Sequence, residues 1–134
     1  MAETTTRAGI SHVGFISIHV NDLDRAIEFY VNQFGFAKTT DAQMGPGARW
    51  VELTPPGGKT RVTLISRGNP AWMPELIGKG IAAPFEVAGD FEKVCADLEA
   101  RGVRFNKAPK QEFYGWWAEI LDADDNILGL HAGA

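Results

Sequence analysis

Two glutamates carry the strongest hint of chemistry in this chain. Glu52 lies in WVEL, residues 50–53, and Glu119 lies in WAEI, residues 117–120, so each follows a tryptophan by two positions and the two motifs are 67 residues apart. A carboxylate set in an apolar hollow is pushed toward its neutral form and can work as a general acid or base. It can equally hold a cationic or hydroxylated ligand, or pair with Arg49, Arg61 or Arg104, because a buried charge needs a partner. Trp50 and Trp117, with Trp116 and Tyr114 close in sequence, can form stacking walls for a planar ligand or fill a core. The histidines are His12, His19 and His131; His19 and Glu86 share the 67-residue offset. His131 with Glu119 and Glu52 has the donor types a divalent metal takes.

That offset recurs beyond the candidate chemistry. It relates Val20 to Val87 and Gly35 to Gly102, so the chain is an internal repeat. In the first copy, HVGFISIHV alternates as a strand with Ile16, Ile18 and Val20 on one face. Asn21 or Asp22 caps a helix whose apolar positions are Leu23, Ile27, Tyr30 and Phe34, and Gly35 stops it. Strands are expected at 36–40, 49–54 and 61–66, with Pro55-Pro56-Gly57-Gly58 as a turn. In the second copy Ala83, Phe85 and Val87 mark a strand, Asp90 a cap, and Phe91, Val94, Cys95 and Leu98 a helix that ends at Gly102. Strands follow at 103–106, 117–121 and 127–131. Each copy is a βαβββ unit, and the class is α+β. Module one spans residues 10–67, a connection 68–80, and module two 81–132, together one domain over 10–134. Trp72, Met73, Leu76 and Ile77 make the connection too apolar for a bare linker; they cover the core edge, or serve as a lid or dimer contact.

Strand parity sorts the side chains into two faces. The apolar series faces the helices. The opposite series holds Phe15, Trp50, Glu52, Arg61 and Thr63 in module one, and Ala82, Trp117, Glu119, Gly129 and His131 in module two. Aromatic groups beside a few charges suit a ligand cavity better than a wet sheet face. Cys95 falls on the helix stripe and reads as a buried thiol.

With 134 residues the chain can bury a real core. A net charge of -4 argues against nucleic acid. No apolar run approaches the ~20 residues of a membrane span, and the polar first nine residues read as a mobile tail, with no signal peptide. One cysteine excludes an internal disulfide framework and fits a reducing, cytoplasmic setting.

The segments VNDLDRAIEFYVNQFGF, RWVELTPPGG, FEVAGDFEKVCADLEARGVRF and DADDNILGL, in this order, resemble the vicinal-oxygen-chelate superfamily of glyoxalases, bleomycin-resistance proteins and dioxygenases. DADDN is similar to that family's DPDGN-type turn, with Ala123 and Asp125 as departures. The resemblance covers about residues 10–132 and implies two modules in pseudo-twofold repeat, folded into a cup. It implies a divalent metal in enzymatic members, held by His, Gln or Glu from the first and last strands of each module. Those positions fall here on Phe15, Ala82, Gly129 and Thr63 (or Val62), and none is a good ligand. The expectation is therefore a metal-independent, bleomycin-resistance-like protein that binds a small organic molecule, with no cofactor. Its ligand-binding residues are Phe15, Trp50, Arg61, Thr63, Trp117, Gly129 and His131. The resemblance also implies a homodimer. The alternative is a glyoxalase-type lyase or isomerase that uses a displaced metal site or Glu52 and Glu119 as acid and base.

Overall fold

A computed structural model describes residues 8–133, so the tail expected over residues 1–9 lies mostly outside the described residues. Module one contains β1 (Phe15–His19), α1 (Leu23–Glu28), β2 (Ala37–Gly45), β3 (Ala48–Thr54) and β4 (Arg61–Ile65). Module two repeats the series as β5 (Ile81–Glu86), α2 (Phe91–Ala100), β6 (Arg104–Glu112), β7 (Gly115–Leu121) and β8 (Ile127–Ala132). The two sheets have the same order, β1-β4-β3-β2 and β5-β8-β7-β6. In each, the first and last strands of the module are parallel neighbours and the others antiparallel.

Local chemistry sets the helix bounds. The side chains of Asp22 and Asp90 accept from the amides of Arg25 and Lys93 at 3.1 and 3.2 Å, leaving fewer orphan donors at the first turns. Gly35 and Gly102 follow the helices at φ of +88° and +87°, a region costly for a residue with a Cβ. The first helix is not the single run expected over 23–34. After Glu28 the chain widens into a π-helical turn, Phe29–Gln33. This wider turn buries both Phe29 and Tyr30.

β2 and β6 are each nine residues long, well beyond the expected 36–40 and 103–106. Both are edge strands, exposed and interrupted by register shifts, so no apolar alternation marks them. The apolar series lies where parity puts it: Ile18, Val51, Leu64, Ala118, Ile120 and Leu130 are among the buried residues of one continuous core. That core crosses between modules, with Phe34 and Phe36 meeting Phe85 edge-on at 5.5 Å between centroids. Cys95 is 2% exposed, and burial, with Glu92 adding to it, pushes its thiol up to about 11, an inert group.

The DADDN turn joins the modules through buried polar groups. Asp122, 1% exposed, accepts from Tyr30 Oη at 2.7 Å and Asn126 Nδ2 at 3.0 Å on one oxygen. Its other oxygen accepts the amides of Asp124 and Asn126 at 2.8 and 2.9 Å. Burial and the adjacent Asp122 push the Tyr30 hydroxyl well above its ordinary pKa, so it stays a donor. Asn126 also donates to the His19 carbonyl and accepts from the Gly78 amide, both at 2.9 Å. The connection runs as a strap: Trp72 Nε1 donates to the Val20 carbonyl at 2.9 Å, and a short 3-10 turn follows at Pro74–Leu76. No helix among the described residues is long and apolar enough to cross a membrane.

Candidate functional site

The sheet face opposite the core is built from β3 and β4 in module one and β7 and β8 in module two. Register pairs Glu52 with Thr63 and Glu119 with Gly129. This makes Thr63, and not Val62, the module-one equivalent of Gly129. Val62 itself is in the core. Ala82 departs from its expected place. A bulge between Ile81 and Ala83 breaks the register, and Ala82 packs against the core. Trp116 also belongs to the core side, stacked on Phe91 at 5.6 Å and 18°.

Both glutamates are buried, at 7% and 6% exposure, and both are partnered. Glu52 accepts from Arg61 Nη1 and Thr40 Oγ1, each at 3.1 Å. Glu119 accepts from Asn106 Nδ2 at 2.9 Å and Trp117 Nε1 at 3.0 Å, with Lys107 Nζ at 3.7 Å. Of the expected arginine partners only Arg61 is used. Arg49 pairs with Asp24 and Asp41 instead, holding Asp41 down at about 2 with help from Lys38. Arg104 pairs with Asp125. Burial tends to raise the Glu119 carboxyl, but the hydrogen bonds from Trp117 and Asn106 and the charge of Lys107 outweigh it. The net shift is downward, which reverses the raised pKa expected of a carboxylate in an apolar hollow. Thr40 and Lys107 were not singled out from the sequence. They sit directly across from Glu52 and Glu119, so the 67-residue offset carried onto the edge strands would have found them.

The tryptophans are arranged differently in the two modules. Trp50 meets Phe15 edge-on at 5.4 Å and 88°. Trp117 leans diagonally across β8. A Cβ added at Gly129 would lie 2.5 Å from its Cη2 and 2.9 Å from its Cζ2. The benzene ring of the indole thus occupies the volume a side chain at position 129 needs. Beside it, His131 Nδ1 lies 2.6 Å from Glu86 Oε1 and Nε2 3.3 Å from the Tyr114 carbonyl, while the Tyr114 ring stacks on the imidazole at 6.3 Å. Glu86 first, then the Tyr114 carbonyl, raises the His131 pKa. His19, at the end of β1, accepts from the Met73 amide at 3.0 Å and so holds the connecting strap; burial lowers its pKa. His12 lies outside the sheets, bonded to its neighbour Ser11.

A divalent metal does not fit these residues. Thr63 offers a hydroxyl with no partner among the described residues, Gly129 offers nothing, and the room beside Gly129 is taken by carbon atoms of Trp117. The two carboxylates are already committed to other side chains. Among the described residues no group of three or more His, Cys, Asp or Glu is placed to hold an ion, and His131, Glu119 and Glu52 do not form one. The cavities of about 880, 730 and 210 Å³ are lined by other residues. Phe15, Trp50, Arg61, Trp117 and His131 instead lie on the open side of the sheets, with Phe15 still 42% exposed, while Thr63 and Gly129 are buried in the same face.

Two repeated βαβββ modules around a shared core, with a second, aromatic and charged face on each sheet, define the class to which this chain conforms. The chain belongs to the Glyoxalase/Bleomycin resistance protein/Dioxygenase superfamily, whose sequence profile matches residues 9–128. It is similar to the uncharacterised protein YetH of Bacillus subtilis (strain 168), 26% identical over 90% of this chain and 98% of that one. Among solved structures it is similar to TnmS3, an antibiotic binding protein from Streptomyces sp. CB03234, with 32% identity, a TM-score of 0.81, and 96% and 100% of the two chains covered. A superfamily member from Sphaerobacter thermophilus DSM 20745 is 32% identical with a TM-score of 0.78, covering 92% and 98%.

Proposed function

We propose that this chain binds a planar or amphipathic organic molecule without a metal, against the sheet faces that carry Trp50 and Trp117. The observation that carries the reading is the closure of the Gly129 position by the Trp117 ring. The family resemblance implies a metal donor at that position in enzymatic members; this chain has glycine there, covered by the Trp117 indole. The likeness to an antibiotic binding protein supports the same reading. Glu52 and Glu119, each bonded to neighbouring side chains, fix polar or cationic groups of the ligand, and Glu119, whose pKa its partners lower, does not deliver a proton.

The faces are open in the single chain, and Phe15, Phe113 and Tyr114 leave apolar surface exposed at 42%, 95% and 45%. A second copy closes such a face, so the binding unit is a homodimer, working in the cytoplasm. Two measurements test the proposal. Elemental analysis of protein purified without chelator should show no stoichiometric zinc, nickel, manganese or iron; a full equivalent of any of these sinks the metal-free reading. A thermal-shift screen of planar aromatic antibiotics and metabolites should find ligands that raise the melting temperature, and a screen with none counts against binding.

A further inference from the structure

We infer that Trp117 determines the specificity of the module-two face. Seated on Gly129, its indole makes that half of the site a fixed aromatic plate and bars any donor at position 129. The inference rests on the binding reading above and adds to it the surface on which the ligand stacks. Three observations carry it. The ring atoms Cη2, Cζ2 and Cζ3 lie 2.5, 2.9 and 3.4 Å from where a Cβ at position 129 would be, so glycine is what allows the ring down onto the strand. The indole N–H is spent on Glu119 at 3.0 Å, which fixes the ring's rotation. The residue as a whole remains half-buried, so Trp117 keeps some accessible surface beyond its seat on β8.

The repeat shows that this is not a property of the strand register alone. At the equivalent place in module one the indole of Trp50 turns to Phe15 instead, and Thr63 has kept a side chain. The two halves of the site are therefore not interchangeable. Module two presents the preformed flat surface, whose ordering cost was met on folding. Module one presents Arg61 and Glu52 beside an aromatic edge. The ligand class that fits the plate is a fused-ring aromatic compound.

The experiment combines a stability cycle with a binding assay. In the wild-type background Gly129→Ala should lower the melting temperature by about 5 °C or more, because the added methyl collides with a locked ring. In a Trp117→Leu background the same change should cost little, and in Trp117→Phe, whose shorter ring lacks the N–H, an intermediate amount. Equal penalties in the wild-type and Trp117→Phe backgrounds overturn the seating, whether or not the leucine variant folds. Binding is read with two tricyclic probes of opposite charge, proflavine and anthracene-9-carboxylate. Wild-type protein should bind at least one, Trp117→Leu about ten-fold more weakly, and Trp117→Phe with a smaller loss. Unchanged affinity in Trp117→Leu overturns the plate while leaving the binding reading intact. Failure of the wild-type protein to bind either probe overturns both.

Discussion

Thr63 stands in the register of Gly129 but poses the opposite problem. It is fully buried, and its hydroxyl has no hydrogen-bond partner among the described residues. An orphaned buried hydroxyl costs about 1–3 kcal/mol, so Thr63→Val, which keeps the shape, should raise stability by about 1 kcal/mol in urea denaturation. A loss of stability would mean that the hydroxyl is satisfied in solution. His131 carries the second prediction at this scale. Its pKa is raised from 6.5 by the Glu86 carboxylate and the Tyr114 carbonyl. Such a histidine stabilises the fold below its unfolded value, and the contribution fades as pH rises through the folded value. Titration of His131 by NMR should give a pKa above 6.5 in the wild type and a lower one in Glu86→Gln; identical values in the two proteins contradict the pairing. Residue types and faces could be read from parity, which put Trp117, Glu119 and Gly129 together. The lean of the indole could not be read, because it depends on which neighbour across the strand lacks a side chain.

Among the elements, the DADDN turn was legible as a turn and not as a joint. Its first aspartate is buried under Tyr30, 92 residues away in sequence, a distance no periodicity spans. Asp122→Ala strips partners from the Tyr30 hydroxyl, the Asn126 side chain and two backbone amides at once. It should cost about 3 kcal/mol or more, against about 1 kcal/mol for Tyr30→Phe, which leaves the aspartate its other donors. Thermal melting checks both, and equal costs would show that the turn does not depend on the carboxylate. The helix caps at Asp22 and Asp90 were legible because capping is local chemistry. The long edge strands were not: KAPKQE and KTTDAQ carry no alternation, since neither face of an exposed edge is buried. Lys107 lies in one of these extensions, while Thr40 and Asn106 end the expected strands 36–40 and 103–106 without a sign of which carboxylate each would meet.

For the molecule as a whole, the repeat offset announced two modules, and the equal strand orders of the two sheets confirm them. Within one chain the modules share a core on their helix sides, and the candidate residues line open faces, so the binding unit proposed here needs a second copy. Parity says which face a residue takes and nothing about how two faces are turned toward each other. The account rests on ligand binding that needs no ion, and one measurement tests that directly. The dissociation constant of a planar aromatic ligand is determined before and after exhaustive dialysis against a chelator. The account predicts the same value in both preparations. Binding lost on dialysis and restored by added zinc or manganese would contradict it.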